Sequence, residues 1–396
     1  ILGDLDPYPP TITRRASPPP NVRRAPKLEA KMIEPTDLLA ELLDESPEEI
    51  QTPLAQPTPV NVAAKTMPTK RRQPEISPGN LELMAFLAKF PGATLEAMSM
   101  LQVRQANPFH KAGTLRAIGG VEATLKKLRR MGILTWHRDP AAQENYYSIT
   151  SEGLEILGST GYDTAPIATL QGVAKTRAAH FSAIAQVAAQ LYSPAGFFKN
   201  LLGIAPLSLD ALVSEKEMRS AFEPVKSALR EAKKKGQPSE FGPLRTATME
   251  ARFEQVAQGQ MALGDVLEAE PMLWTLGFKP YENSILKPIH QPDLAARIPS
   301  NGDEIRSANL LIEVELSKKS WQEYESILAT LAAELREGLT YGRAIYFTIG
   351  TQIPTLLKKV DAAGNHGLIS SGKLLILPLK HRDGTPYAEN RRINLA

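Results

Sequence analysis

The chain has no cysteine, which rules out disulfides and thiolate zinc centres. Its six histidines include no pair at the spacing by which one helix face presents two metal ligands. No Gly-x-Gly-x-x-Gly or Walker-type phosphate loop occurs, so nucleotide hydrolysis has no visible machinery, and serine and histidine occur without a nucleophile elbow. Long apolar runs are missing too: the most apolar stretch, 167–192, is broken by Lys175, Arg177 and His180, and nothing reads as a signal peptide. A cytoplasmic protein is the expectation. Net charge is also small, 46 Lys and Arg against 43 acids giving +3, so partners must be sought in local charge. A chain of 396 residues has room for two or more domains with real cores.

What is there is unevenly spread. The first 80 residues hold 15 of the 32 prolines, with Arg14-Arg15, Arg23-Arg24 and Lys70-Arg71-Arg72 among Ser, Thr and Gln. Such a composition cannot bury a core and predicts a disordered, basic, proline-rich arm over 1–79. Within it Leu38, Leu39, Leu42 and Leu43 stand at helical spacing and would suit a groove on a protein partner.

From Asn80 to about Gly158 the pattern becomes regular. Leu81, Met84, Ala85 and Leu87 mark a helix closed by Phe90-Pro91-Gly92, a second helix follows from Leu95, and a third covers 120–131. In the third, Val121, Leu125 and Leu128 line one side while Lys126, Lys127 and Arg130 lie largely on the other. Residues 133–138 and 145–150 read as two strands around a polar turn. Between Val103 and Asp139 there are eight Lys and Arg against two acids. This order of elements, with Leu125-Lys126-Lys127-Leu128-Arg129-Arg130-Met131-Gly132 as third helix and Tyr146-Tyr147-Ser148-Ile149-Thr150-Ser151-Glu152-Gly153 as exit, resembles a winged helix-turn-helix domain, here over 80–160. The partner implied is double-stranded DNA, held through Lys126, Lys127, Arg130 and Arg138.

The remainder, 165–385, reads as α/β with a charged, poorly periodic insertion near 220–285, an extended run over 207–213, and a short tail over 386–396. Two acid-bearing segments dominate it: Ile289-His290-Gln291-Pro292-Asp293 and Leu310-Leu311-Ile312-Glu313-Val314-Glu315-Leu316-Ser317-Lys318. Side chains alternate along a strand, so Glu313 and Glu315 share a face. If Asp293 lies on the neighbouring strand, three carboxylates converge, and Asp293 with Glu313 would hold Mg²⁺ or Mn²⁺. Glu315 and Lys318 would assist catalysis, Lys318 by neutralising a cleaved phosphate. The plain alternative is a half-buried strand with acids facing solvent. His290 reads as a strand-edge residue.

The Pro-Asp pair followed by an acid-bearing strand resembles the PD-(D/E)XK nuclease-like fold, with Glu315 where that family usually has lysine. The fold class expected is therefore α+β and α/β multidomain: a winged helix-turn-helix, then a PD-(D/E)XK-like mixed sheet flanked by helices, behind a disordered N-terminal arm. Four phrases in order, Leu212-Val213-Ser214-Glu215-Lys216-Glu217-Met218-Arg219, His290-x-Pro292-Asp293, Glu313-Val-Glu315-x-x-Lys318-x-Ser320 and Tyr341-Gly342-Arg343-Ala344-Ile345-Tyr346-Phe347-Thr348, resemble the replication-relaxation family of actinobacterial plasmids and mobile elements. That resemblance implies a DNA-binding accessory role in replication, relaxation or transfer, with a nuclease-like domain that is active or degenerate. A Mg²⁺-dependent endonuclease and a winged-helix transcriptional regulator with a dimerisation or protein-binding domain are the alternatives.

Overall fold

The computed structural model describes residues 76–101, 115–139, 143–164, 177–195, 197–277, 289–298 and 308–387. The expected arm up to residue 75, with its leucines and basic doublets, and residues 388–396 lie outside the described residues. Helix α1 (Pro78–Lys89) starts slightly before Asn80, with Pro78 in its first turn, where a missing N–H is harmless. Helix α2 (Leu95–Ser99) is capped by Thr94, whose hydroxyl accepts from Ala97 N at 3.1 Å. Helix α3 (Ile118–Arg130) buries Val121, Leu125 and Leu128. Gly132, at φ 77°, ends it: Ile133 N donates to Leu128 O and Gly132 N to Arg129 O, both at 3.0 Å, which is the Schellman arrangement for the last carbonyls.

Strands β1 (Leu134–Asp139) and β2 (Glu144–Ile149) then pair antiparallel, Leu134 opposite Ile149. Helix α4 (Ser151–Ser159) follows, capped by Thr150. Gly153 in its first turn sits so close to the hairpin that a Cβ there would meet Ile149 Cγ1 at 2.7 Å.

Helix α5 (Ala178–Tyr192) is buried from Ser182 to its end, as an apolar helix inside a core must be. After the short α6 (Lys199–Leu202) comes β3 (Leu212–Ser214). The extended run expected over 207–213 shrinks to this, because Ala211 N turns back to Ser208 O at 3.2 Å. Helices α7 (Glu215–Lys234) and α8 (Phe241–Ala257) form the next pair, α7 opening with a capping box between Ser214 and Glu217. Helix α9 (Val266–Ala269), a 3-10 turn (Pro271–Trp274) and the small strands β4 (Leu276–Gly277) and β5 (Ile289–His290) lead to β6 (Leu294–Ala296) and β7 (Leu310–Glu315). The chain continues through α10 (Trp321–Glu337), β8 (Arg343–Thr348), α11 (Gln352–Ala363) and β9 (Leu374–Pro378). Among the described residues no helix is long and apolar enough to cross a membrane.

Five strands form a mixed sheet in the order β3-β6-β7-β8-β9. β6 runs antiparallel to both of its neighbours, β3 and β7, and β7, β8 and β9 run parallel. Both faces are covered. Leu310, Ile312, Val314, Ile345 and Phe347 belong to a core shared with α5 and with α1 to β2. Leu311, Ala344, Tyr346 and Leu374 pack instead with α10, α11 and the helical pair. The first core runs without a break from the N-terminal helices into the sheet, and residues 73–396 cluster as one compact unit. Lys89 shows how the join is made: this lysine, 5% exposed, donates to Leu209 O at 3.1 Å and pairs with Glu217 Oε1 at 3.1 Å.

The stretch 220–285, described as far as residue 277, packs on the second core. Met218 and Phe222 on α7 are buried, with Val225 partly so, and they recur at helical spacing between charged residues that mask the stripe in sequence. Arg245 on α8 is 6% exposed and grips Glu334 of α10 with two hydrogen bonds, at 2.8 and 3.1 Å, while also donating to Leu273 O and Thr340 Oγ1. Arg245→Ala is therefore expected to lower the unfolding free energy by about 3–5 kcal/mol, since it strands a buried carboxylate; denaturant titration measures it, and a loss well under 1 kcal/mol would mean the pair is not fastening α8 to α10.

Candidate functional site

Strand β7 carries the chemistry. Glu313 and Glu315 lie on the face of Leu311, and both are buried, 8% and 6% exposed, so the solvent-facing strand is excluded. Leu294 stands opposite Ile312 in the antiparallel pair of β6 and β7, which puts Asp293, one residue earlier, across from Glu313. Asp293 occupies a bend rather than the ladder. Its Oδ2 accepts from Val314 N at 2.8 Å, satisfying an amide that β6 ends too soon to reach. Asp293 Oδ1 lies 2.9 Å from His180 Nε2, on the first turn of α5. His290 Nε2, from β5, lies 2.7 Å from Glu313 Oε1. Lys319, in the link before α10, donates to Glu315 Oε2. Beside His180, Glu215 is paired with Arg219 and, at 3.6 Å, with Arg177.

Burial and charge pull these groups in opposite directions. Desolvation pushes both imidazoles down, but for His180 the hydrogen bond and charge of Asp293, helped by Glu215, win and the pKa is raised above 6.5. For His290 the Glu313 and Asp293 charges do the same. Asp293 is pushed up by burial, yet His180 and the Val314 amide leave it lowered from 3.8. Glu313 goes the other way: burial and the neighbouring Asp293 charge outweigh His290 and raise it above 4.5. Lys319 is lowered by burial despite Glu313 and Asp293.

Asp293, Glu313 and Glu315 thus stand close enough to influence one another or the same cations, but the arrangement does not fit a divalent ion. Both Asp293 oxygens and Glu313 Oε1 are already engaged by the protein. Among the described residues no group of three or more His, Asp or Glu is placed to hold a metal, and Mg²⁺ demands near-octahedral oxygen ligands. Asp293 and Glu313, the residues expected to hold Mg²⁺ or Mn²⁺, each lie against an imidazole. Lys318 is exposed, and its neighbour Lys319 reaches the site. Strand β7 ends at Glu315, so alternation no longer tells which lysine turns inward. His290, expected as a bystander at a strand edge, is a partner of Glu313. His180 was hidden inside an apolar stretch; its signal was a polar residue at the start of an otherwise buried helix.

On α3, Lys126, Lys127 and Arg130 are exposed, as is Arg138 on β1. Lys126 is tied to Glu122 at 2.7 Å, and Arg138 donates to Gln143 Oε1 at 3.2 Å. Arg129, also exposed, lies 4.9 Å over the Trp136 ring. A cleft of about 820 Å³, bordered by Glu96, Glu122, Asn145, His381, Arg382 and Asp383 among others, flanks the N-terminal half of α3. Its carboxylates leave the C-terminal half as the basic face.

No family model, curated protein or solved structure matches the chain.

The sign of the pH dependence follows from the shifts. Stability contributed by His180 and His290 is complete below 6.5 and is lost as pH rises through their raised values. Glu313, raised above 4.5, binds its proton more tightly when folded and also subtracts stability with rising pH. Asp293, lowered from 3.8, loses its contribution only on acidification. The melting temperature is expected to fall between about pH 6 and about pH 8, and to fall less in His180→Gln/His290→Gln. Thermal melts in matched buffers check this; parallel curves for the two proteins would remove the imidazoles as the source.

Proposed function

We propose that the chain is a DNA-binding protein, with α1 to β2 acting as a winged helix-turn-helix unit on a PD-(D/E)XK-like sheet, and that it serves as an accessory factor in plasmid or mobile-element replication, relaxation or transfer. The observation that carries the reading is the exposed basic face of α3. Lys126, Lys127 and Arg130 project from a helix anchored by Val121, Leu125 and Leu128, and Arg138 adds charge from the adjoining hairpin. Phosphate contacts of this kind supply most sequence-independent affinity for DNA. Supporting the sheet assignment, Pro292-Asp293 enters β6 and Glu313 and Glu315 lie on β7, its hydrogen-bonded neighbour. Metal-dependent cleavage is left out of the reading, because the carboxylates it would use are spoken for by His180, His290 and Lys319.

Lys127 and Arg130 give the cleaner test, since Glu122 already holds Lys126. Replacing both with alanine is expected to weaken duplex binding and to flatten the slope of log affinity against log salt by about 2, one unit per lost phosphate contact. Fluorescence anisotropy across a salt series measures the slope. An unchanged slope would remove α3 from the interface, and protection of a promoter rather than of a replication or transfer origin would favour a transcriptional regulator.

A further inference from the structure

Three buried or half-buried carboxylates on one sheet face need positive charge, and the chain supplies it one for one. Asp293 takes His180 from α5, Glu313 takes His290 from β5, and Glu315 takes Lys319 from the link before α10. The three cations come from segments far apart in sequence, and each meets a different acid. The remaining polar capacity of Asp293 is used by the Val314 amide, so the carboxylate is fixed in direction as well as in charge. We infer that His180, His290 and Lys319 replace a divalent cation at this site, and that the resulting ionic cluster ties α5 and β5 to β6 and β7 without any metal.

The consequence reaches beyond the sheet. Helix α5 contacts the N-terminal helices as well: Gln186 donates to Glu96 Oε1 at 3.3 Å, and Arg382 N from the C-terminal turn donates to the same carboxylate oxygen at 2.5 Å. Fastening the first turn of α5 through His180 therefore holds the element on which the proposed DNA-binding unit rests. The physical cost of breaking the cluster is that of a buried charge left alone, whereas a metal-loaded site would be stabilised in proportion to ion occupancy.

The experiment needs no DNA, so its failure is separate from failure of the DNA-binding reading. Thermal melts of the full chain, near pH 6, are compared with and without millimolar Mn²⁺ or Mg²⁺. The wild type is expected to show no rise in Tm with either ion. His180→Gln/His290→Gln, which leaves Asp293 and Glu313 without their imidazole partners, is expected to melt on the order of 5–10 °C lower and to regain part of that loss as Mn²⁺ is added. A saturable rise in the wild type that disappears in Asp293→Asn would overturn the inference whether or not the double variant folds. So would a double variant that melts with the wild type, because the imidazoles would then tie nothing.

Discussion

Placing two glutamates on a strand whose two faces are both covered obliges the surrounding chain to bring positive charge to them. Glu313 and Glu315 cannot turn to water from the middle of the sheet, and an unpaired buried carboxylate costs several kcal/mol. Much of the architecture near β7 reads as an answer to that constraint. β5 is only two residues long, yet it sets His290 against Glu313. The link after β7 turns so that Lys319 folds back on Glu315. Asp293 leaves the ladder, where its carboxylate caps Val314 N and meets His180.

Charge also fastens the N-terminal helices to the elements around the sheet. Helix α5 lies in the core shared by the N-terminal helices and the sheet, and its first turn carries His180 into the ionic cluster. Lys89, at the end of α1, reaches Leu209 O and Glu217 at the start of α7. Each is a cation placed where an apolar contact alone would leave the two parts free to slide, because hydrophobic burial has no direction while a hydrogen-bonded pair has one. Arg245 does for α8 what His180 does for α5. The long charged stretch after β3 becomes part of the body by that grip together with Met218, Phe222 and Trp274.

Local order was legible where one rule sufficed. The stripe of Val121, Leu125 and Leu128, the stop at Gly132 and the apolar runs of β7, β8 and β9 all come from short-range patterning, and the structure has those elements within a few residues of where the pattern puts them. The alternation that aligned Glu313 with Glu315 was legible for the same reason. What escaped depended on pairing between distant segments. Nothing near His180 points to Asp293, 113 positions away, and nothing near Lys319 distinguishes it from Lys318 once the strand has ended. The helical pair after β3 escaped for another reason: its apolar positions are few and its charges many, so its mean composition hides a periodicity that only the folded contacts expose.

A pattern of acids on adjacent strands does not by itself make a divalent-ion site. Carboxylates converge in the same way whether their charge is met by an ion or by imidazolium and ammonium, since strand geometry sets only where the oxygens go. The choice between the two is made by residues the motif does not contain. Here His290 lies three residues before Asp293 and already faces Glu313, while His180 approaches from the opposite element and takes the oxygen of Asp293 that an ion would need. With those positions filled, imidazoles hold the oxygens of Asp293 and Glu313, and the raised pKa values of His180 and His290 make the charge of the site depend on pH.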